Sequence, residues 1–115
     1  MPSSISDSDY GRLAEAAAAW WLRLRGYRIV ARNVRVAGRE VDVLAQRGCT
    51  LVVCEVKARR SPRRGEPAEA VDAAKRRRLR EAGEILLASQ PGAERVRFDV
   101  IAVSGLRIRH IRAAF

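Results

Sequence analysis

Lysine is nearly missing from this 115-residue chain. Of its 23 basic residues only Lys57 and Lys75 are lysines, and the other 21 are arginines. Much of that arginine excess is what coding bias alone would give, so it says little about any one contact. A retained lysine then has two readings. Either the position needs a compact, strongly hydrated ammonium that a guanidinium cannot imitate, or two surface lysines survived by chance. Histidine is limited to His110 and cysteine to Cys49 and Cys54. With no close cysteine pair, a structural zinc site is not expected. The cysteines sit five positions apart in what reads as one strand, about 16 Å apart and on opposite faces, so they are not expected to bond to each other. No stretch reaches the ~18 uncharged apolar residues of a membrane span, and no basic segment leads into an apolar one at the N-terminus. The expected location is the cytoplasm, with no membrane partner. Four prolines, with 48% apolar and 31% charged residues, exclude a disordered tail or a repeat array. One domain over residues 1–115 is expected.

Acidic residues are also in short supply, 13 against 23 basic, which leaves a net charge of +10. Such a field attracts phosphate and points to a polyanionic partner. A ribosomal or membrane-surface protein would share it.

The apolar and turn-forming residues divide the chain into an α-β-β-β-α-β-β order. A helix is expected from Asp7 to Arg25, capped by Asp7 or Ser8 and closed by Gly26, with Leu13, Ala17, Trp20 and Leu24 as its apolar stripe. Strands are expected over Tyr27 to Arg35, Glu40 to Gln46 and Cys49 to Arg59, with Gly38 and Gly48 in the turns. After a polar loop from Arg60 to Pro67, a second helix runs from Ala68 to Ser89, ended by Pro91-Gly92. Strands Arg95 to Val103 and Leu106 to Arg112 follow, joined by Ser104-Gly105. The second helix has the length of a crossover that sets the fourth strand parallel to the third. The fold class is α/β, a central mixed sheet flanked by helices.

The second and third strands carry the chemistry. With Arg47-Gly48 as a two-residue turn, Glu40 faces Glu55, and Asp42 lies diagonal to Glu55. Alternation puts Glu40, Asp42, Glu55 and Lys57 on one side of the hairpin, so three carboxylates crowd one patch. Like charges that close call for a shared proton or a divalent cation. A cation there would activate water and stabilise charge on a phosphate. Lys57 could orient or deprotonate that water or neutralise the transition state, or it could simply pair with a carboxylate at a strand end.

The order and spacing of short motifs resemble the YraN-like family of predicted endonucleases, distant relatives of archaeal Holliday-junction resolvases within the restriction-endonuclease-like superfamily. The matching pieces are Glu15 in Gly11-Arg12-Leu13-Ala14-Glu15, then Gly26-Tyr27, Asn33-Val34-Arg35 and Gly38-Arg39-Glu40-Val41-Asp42. Glu55-Val56-Lys57, Lys75 and Arg97-Phe98-Asp99-Val100 complete them. The resemblance implies a restriction-endonuclease-like fold, a Mg²⁺ or Mn²⁺ site made by Glu15, Asp42 and Glu55, and Lys57 as the catalytic lysine. The superfamily's proline before the aspartate is Val41 here, and it touches no ligand. Periodicity alone places Glu15 opposite the Leu13 and Trp20 stripe, on the solvent side.

Lys75 lies on the apolar stripe of the second helix, where it can snorkel or reach a phosphate. Asp99 can approach the site or pair with Arg97 or Arg95. Arg59, Arg60, Arg63 and Arg64, with Arg76, Arg77 and Arg78 on the second helix, suit backbone phosphates, which give affinity without reading sequence. The expected function is metal-dependent hydrolysis of phosphodiester bonds in nucleic acid, structured DNA first. The rival is a non-catalytic nucleic-acid-binding module of the same fold. A homodimer is compatible with either.

Overall fold

A computed structural model describes residues 6–59 and 72–115. Its elements follow the order α1 (Asp7–Leu24), β1 (Arg28–Val36), β2 (Arg39–Arg47), β3 (Thr50–Ala58), α2 (Ala73–Ser89), β4 (Arg95–Ser104) and β5 (Arg107–Ile111). The five strands form one sheet in sequential order β1-β2-β3-β4-β5. Only β3 and β4 run parallel, which is the pair that the α2 crossover joins. The other neighbours are antiparallel.

The helix starts are set by local capping. Ser6, rather than Asp7 or Ser8, caps α1, its hydroxyl accepting from the Asp9 N–H at 3.1 Å. In α2 the Asp72 carboxylate accepts from the Lys75 N–H at 2.8 Å. That fixes the first turn at Ala73, later than the expected Ala68; residues 68–71 lie outside the described residues. Gly26, at φ +89°, takes the left-handed turn that releases the chain from α1 into β1.

One helix covers each face. Under α1 lie Ala14, Ala18, Leu22, Val43, Val52, Cys54 and Ile101; under α2 lie Val41, Leu44, Leu51, Val53, Leu79, Phe98 and Val100. Each fully buried leucine or isoleucine among them contributes roughly 1.5–3 kcal/mol. The expected α1 stripe is corrected by this packing: Leu13, Trp20 and Leu24 are exposed. Ala14 and Ala18, with Leu22, face the sheet instead, so the helix backbone can lie close to it, and these three large side chains point outward. Cys49 and Cys54 are both free, and Cys49 sits in the β2–β3 turn rather than in a strand.

Close approach also fixes Gly83 of α2. A Cβ there would lie 2.8 Å from two ring atoms of Phe98 and 3.3 Å from Val96. The Phe98 ring cannot retreat freely, because it stacks on Phe115 at 5.4 Å. Gly83→Ala should therefore lower stability by about 1–3 kcal/mol in urea unfolding, despite alanine's better helix propensity. A neutral or stabilising outcome would mean that α2 slides on the sheet at little cost.

Candidate active site

The site grows from a place where the sheet stops being regular. Strands β2 and β3 pair from Arg47↔Thr50 to Val43↔Cys54. The turn is thus Gly48-Cys49, one residue later than Arg47-Gly48. Carrying this register one step further sets Asp42 directly across from Glu55, not diagonal to it. On the other side, β1 and β2 skip one pair between Arg32↔Val43 and Val34↔Val41. The skipped β1 residue is Asn33, at φ +53°, a conformation that asparagine tolerates better than most residues. On the β3 side, beyond the last pair Val43↔Cys54, the Asp42 side chain takes over from the ladder: its Oδ2 accepts the Val56 N–H at 2.8 Å.

Alternation changes phase at this point. Val41 packs in the α2-side core with Leu44 and Val53, and Arg39 follows it, its guanidinium 4.0 Å from Glu55 Oε2. Glu40 turns outward and is exposed. The expected three-carboxylate patch with Glu40 is corrected accordingly: a guanidinium occupies the place predicted for a carboxylate.

Glu55 is the hub. It is buried, and its Oε2 meets Lys75 Nζ at 2.5 Å and Lys57 Nζ at 3.8 Å. Both lysines of the chain therefore converge on one carboxylate, one from β3 and one from the first turn of α2. Lys75 does not snorkel to solvent. Glu55 Oε1 is buried with no hydrogen-bond partner among the described residues, a costly state for an acceptor.

These neighbours shift two protonation equilibria. Burial first, and then the charges of Glu55 and Glu15, push the Asp42 carboxyl up from 3.8 to about 7, against the Val56 N–H and Lys75. Burial and the adjacent Lys75 ammonium lower Lys57 from its ordinary value, with Glu55 opposing. The Asp42 shift sets a pH dependence. The native state holds a proton that the unfolded chain gives up near pH 4, so stability should fall as pH rises from about 4 to 7. In chelator, Asp42→Asn should remove that slope and be more stable than wild type at pH 8 by on the order of 2 kcal/mol. Thermal unfolding across that range would measure both, and parallel curves would refute the reading.

Glu15 stands on α1 in the same helical row as Ala18 and Leu22, at the border of the buried face. Its carboxylate accepts from Asn33 Nδ2 at 3.0 Å, and its charge is felt at Asp42. Among the described residues, no three carboxylate, histidine or cysteine side chains meet closely enough to cage a metal. What is present suits a divalent cation in chemistry: two facing carboxylates, one kept protonated near neutrality by its surroundings, the other with an unpartnered oxygen.

The arginines predicted to meet nucleic acid are placed in part. Arg77 and Arg78 are exposed on α2, while Arg76 lies over the Phe115 ring at 5.7 Å. The Arg59 main chain is tied down, its N–H to Val103 and its carbonyl to the Tyr10 hydroxyl. Arg60, Arg63 and Arg64 fall outside the described residues.

Asp99 does not join the site. It is fully buried on the α1 face, accepting from Arg97 Nε and Nη2 at 2.9 and 2.8 Å, from His110 Nε2 at 2.7 Å and from the Ala113 N–H at 3.0 Å. Burial alone would raise its carboxyl, but the His110, Arg97 and Ala113 hydrogen bonds outweigh it and hold the group below 3.8. An indole N–H only donates. The Trp21 Nε1–H therefore donates to His110 Nδ1 at 3.3 Å, and the imidazole bridges the indole and Asp99. The Asp99–Arg97 pair is one of the alternatives that the sequence left open. The parts of His110, Trp21 and the Ala113 N–H in it, and those of Arg39 and Asn33 beside Glu55 and Glu15, are what reading the sequence missed. The only signals were a lone histidine and an asparagine in a strand.

Comparison with known proteins gives a consistent grouping. Residues 14–103 match the model of the uncharacterised protein family UPF0102. The chain is 48% identical to a UPF0102 protein of Symbiobacterium thermophilum, with 91% of this chain and 94% of the relative aligned. It is 39% identical to one of Chlorobium chlorochromatii over 96% and 93% of the two chains. A UPF0102 protein named YraN, from Salmonella arizonae, is 41% identical over 88% and 79%.

Proposed function

We propose, for a chain that belongs to the UPF0102 family, that Asp42, Glu55 and Lys57 hydrolyse phosphodiester bonds in nucleic acid, structured DNA first, with Mg²⁺ or Mn²⁺. The observation that supports this most is the meeting of both lysines with Glu55 opposite Asp42, in a protein that otherwise uses arginine for positive charge. Asp42 and Glu55 would hold the cation, with Glu15 behind Asp42. When bound, the cation supplies a Lewis acid for the charge that develops on the phosphate. Lys57, with its lowered pKa and half-buried amine, orients the attacking water and can accept its proton at Nζ. Lys75 offsets the Glu55 charge and offers an ammonium to the phosphate.

A second reading has one observation in its favour. Lys75 already neutralises Glu55, an arrangement that a binding module without catalysis could also keep. The test is cleavage of four-way junctions, flaps and single strands with Mg²⁺ or Mn²⁺, comparing wild type with Glu55→Gln. Cleavage lost in the variant with DNA affinity retained supports the nuclease. Binding without cleavage of any substrate by wild type supports the module.

Either reading needs a phosphate-binding surface, and its strength should report through salt. Replacing Arg76, Arg77 and Arg78 by alanine should flatten the slope of log affinity against log salt by up to about three, with Arg77 and Arg78 giving about two of it. An unchanged slope would mean that α2 faces away from the nucleic acid.

A further inference from the structure

A second polar site lies at the far end of the hairpin. A cavity of about 380 Å³ is lined by Trp21, Arg25, Tyr27, Arg47, His110 and Arg112. Its walls come from the end of α1, the starts of β1 and β5's outlet, and the turn end of β2. The Asp42–Glu55 cluster is five residues along β3 from this turn, about 16 Å away, and it projects toward α2 rather than α1. The two sites are separate.

Among the described residues, three guanidiniums line this cavity and no carboxylate does. Asp99 lies beneath it but is consumed by Arg97, His110 and Ala113. Arg25 and Arg47 are positioned by aromatic rings: the Arg25 guanidinium carbon is 3.2 Å from the Trp21 ring centre, and that of Arg47 is 4.3 Å from the Tyr27 ring centre. Arg47 is also anchored to the Arg25 carbonyl at 3.2 Å. Guanidiniums held this way keep little conformational freedom, so an anion pays less ordering entropy to engage them. The Trp21, Tyr27 and His110 rings line the rest of the cavity.

We propose that this cavity binds a phosphate monoester next to a planar ring, the end group of a nucleotide. A monoester carries roughly −1.5 to −2 charge at neutral pH, which suits three guanidiniums better than the single charge of a diester. The volume falls in the range of small-ligand sites. A base can stack on the Arg25 guanidinium plane that already covers Trp21. The group comes either from a free mononucleotide or from the 5′ end of a strand, and this binding is independent of any cleavage at Glu55.

The test uses Trp21 fluorescence in a Trp20→Phe background, where Trp21 is the one remaining indole. The probes are adenosine 5′-monophosphate, adenosine, and a four-nucleotide DNA with a 5′-phosphate or a 5′-hydroxyl. Adenosine 5′-monophosphate should change the emission and adenosine should bind at least about tenfold more weakly. A 5′-phosphate that strengthens oligonucleotide binding beyond the mononucleotide would identify the strand end as the source; no such gain would identify the free nucleotide. Arg112→Glu should weaken phosphate binding about tenfold or more, while Arg107→Glu, the same charge change on exposed β5, should not. The proposal is overturned if millimolar mononucleotide leaves Trp21 unchanged, if adenosine binds equally well, or if both arginine variants weaken binding alike.

Discussion

Lys57→Arg should bind DNA with near-normal affinity and cleave it at least ~10²-fold more slowly than wild type, the scale on which a positioned acid–base group acts. The substitution keeps the positive charge, so an effect on affinity would have to come from shape alone. What it removes is the ability to give up a proton. A guanidinium is larger and planar, and it is effectively never deprotonated, whereas burial and Lys75 already lower the Lys57 amine. The larger group also has to fit beside Glu55 and Lys75, where the lysine side chain keeps only 26% of its surface. Single-turnover cleavage on the best substrate, with affinity measured in parallel, separates the two effects. Full activity in the arginine variant would reduce Lys57 to an electrostatic contact.

Asp99→Asn should cost about 3 kcal/mol, or roughly 12–24 °C in melting temperature for a domain of this size. The amide keeps the volume and one acceptor oxygen but loses the charge and presents donors to Arg97 and His110, which are donors themselves. A guanidinium with 22% of its side-chain surface exposed is then left without its counter-ion. Wild type should lose the same contribution in acid. Its native carboxyl lies below the ordinary 3.8, so the stability is present above the unfolded value and disappears as pH falls through the native one. Urea unfolding at pH 7 and at pH 3 would check both, with the gap between wild type and variant narrowing at the lower pH. A cost under about 1 kcal/mol at pH 7 would mean that desolvation of the ion pair cancels its attraction.

The element order and the parallel β3–β4 crossover were readable because they rest on turn residues and on strand and helix lengths. Asp42, Glu55 and Lys57 were readable for a sturdier reason. Shifting the turn by one residue on each strand changes which residues oppose, but not which face they share. What the sequence hides is the phase change at Asp42. Nothing in Arg39-Glu40-Val41-Asp42 tells that an aspartate side chain replaces a ladder bond and exchanges Glu40 for Arg39 beside Glu55. The α1 stripe failed for a related reason. Periodicity finds a face of large apolar residues, whereas close packing on a sheet selects alanines, so Leu13, Trp20 and Leu24 went to the wrong side. Lys75 was placed on the correct helix face, but helical position alone does not show that its amine bends inward to Glu55.

Among the described residues, the sequential strand order leaves β1 and β5 as the sheet's edges, each an invitation to strand addition by another copy of the chain. Arg28, Arg32 and Arg35 are exposed along one of these edges, and Arg107 and Arg109 along the other. The left-handed residue at Asn33 further breaks the regular row of β1. Two copies meeting edge to edge would bring like charges into register, which discourages fibrous growth at the high concentrations where sheet proteins commonly aggregate. Part of the arginine excess would thereby disfavour edge-to-edge strand addition, a task separate from attracting phosphate.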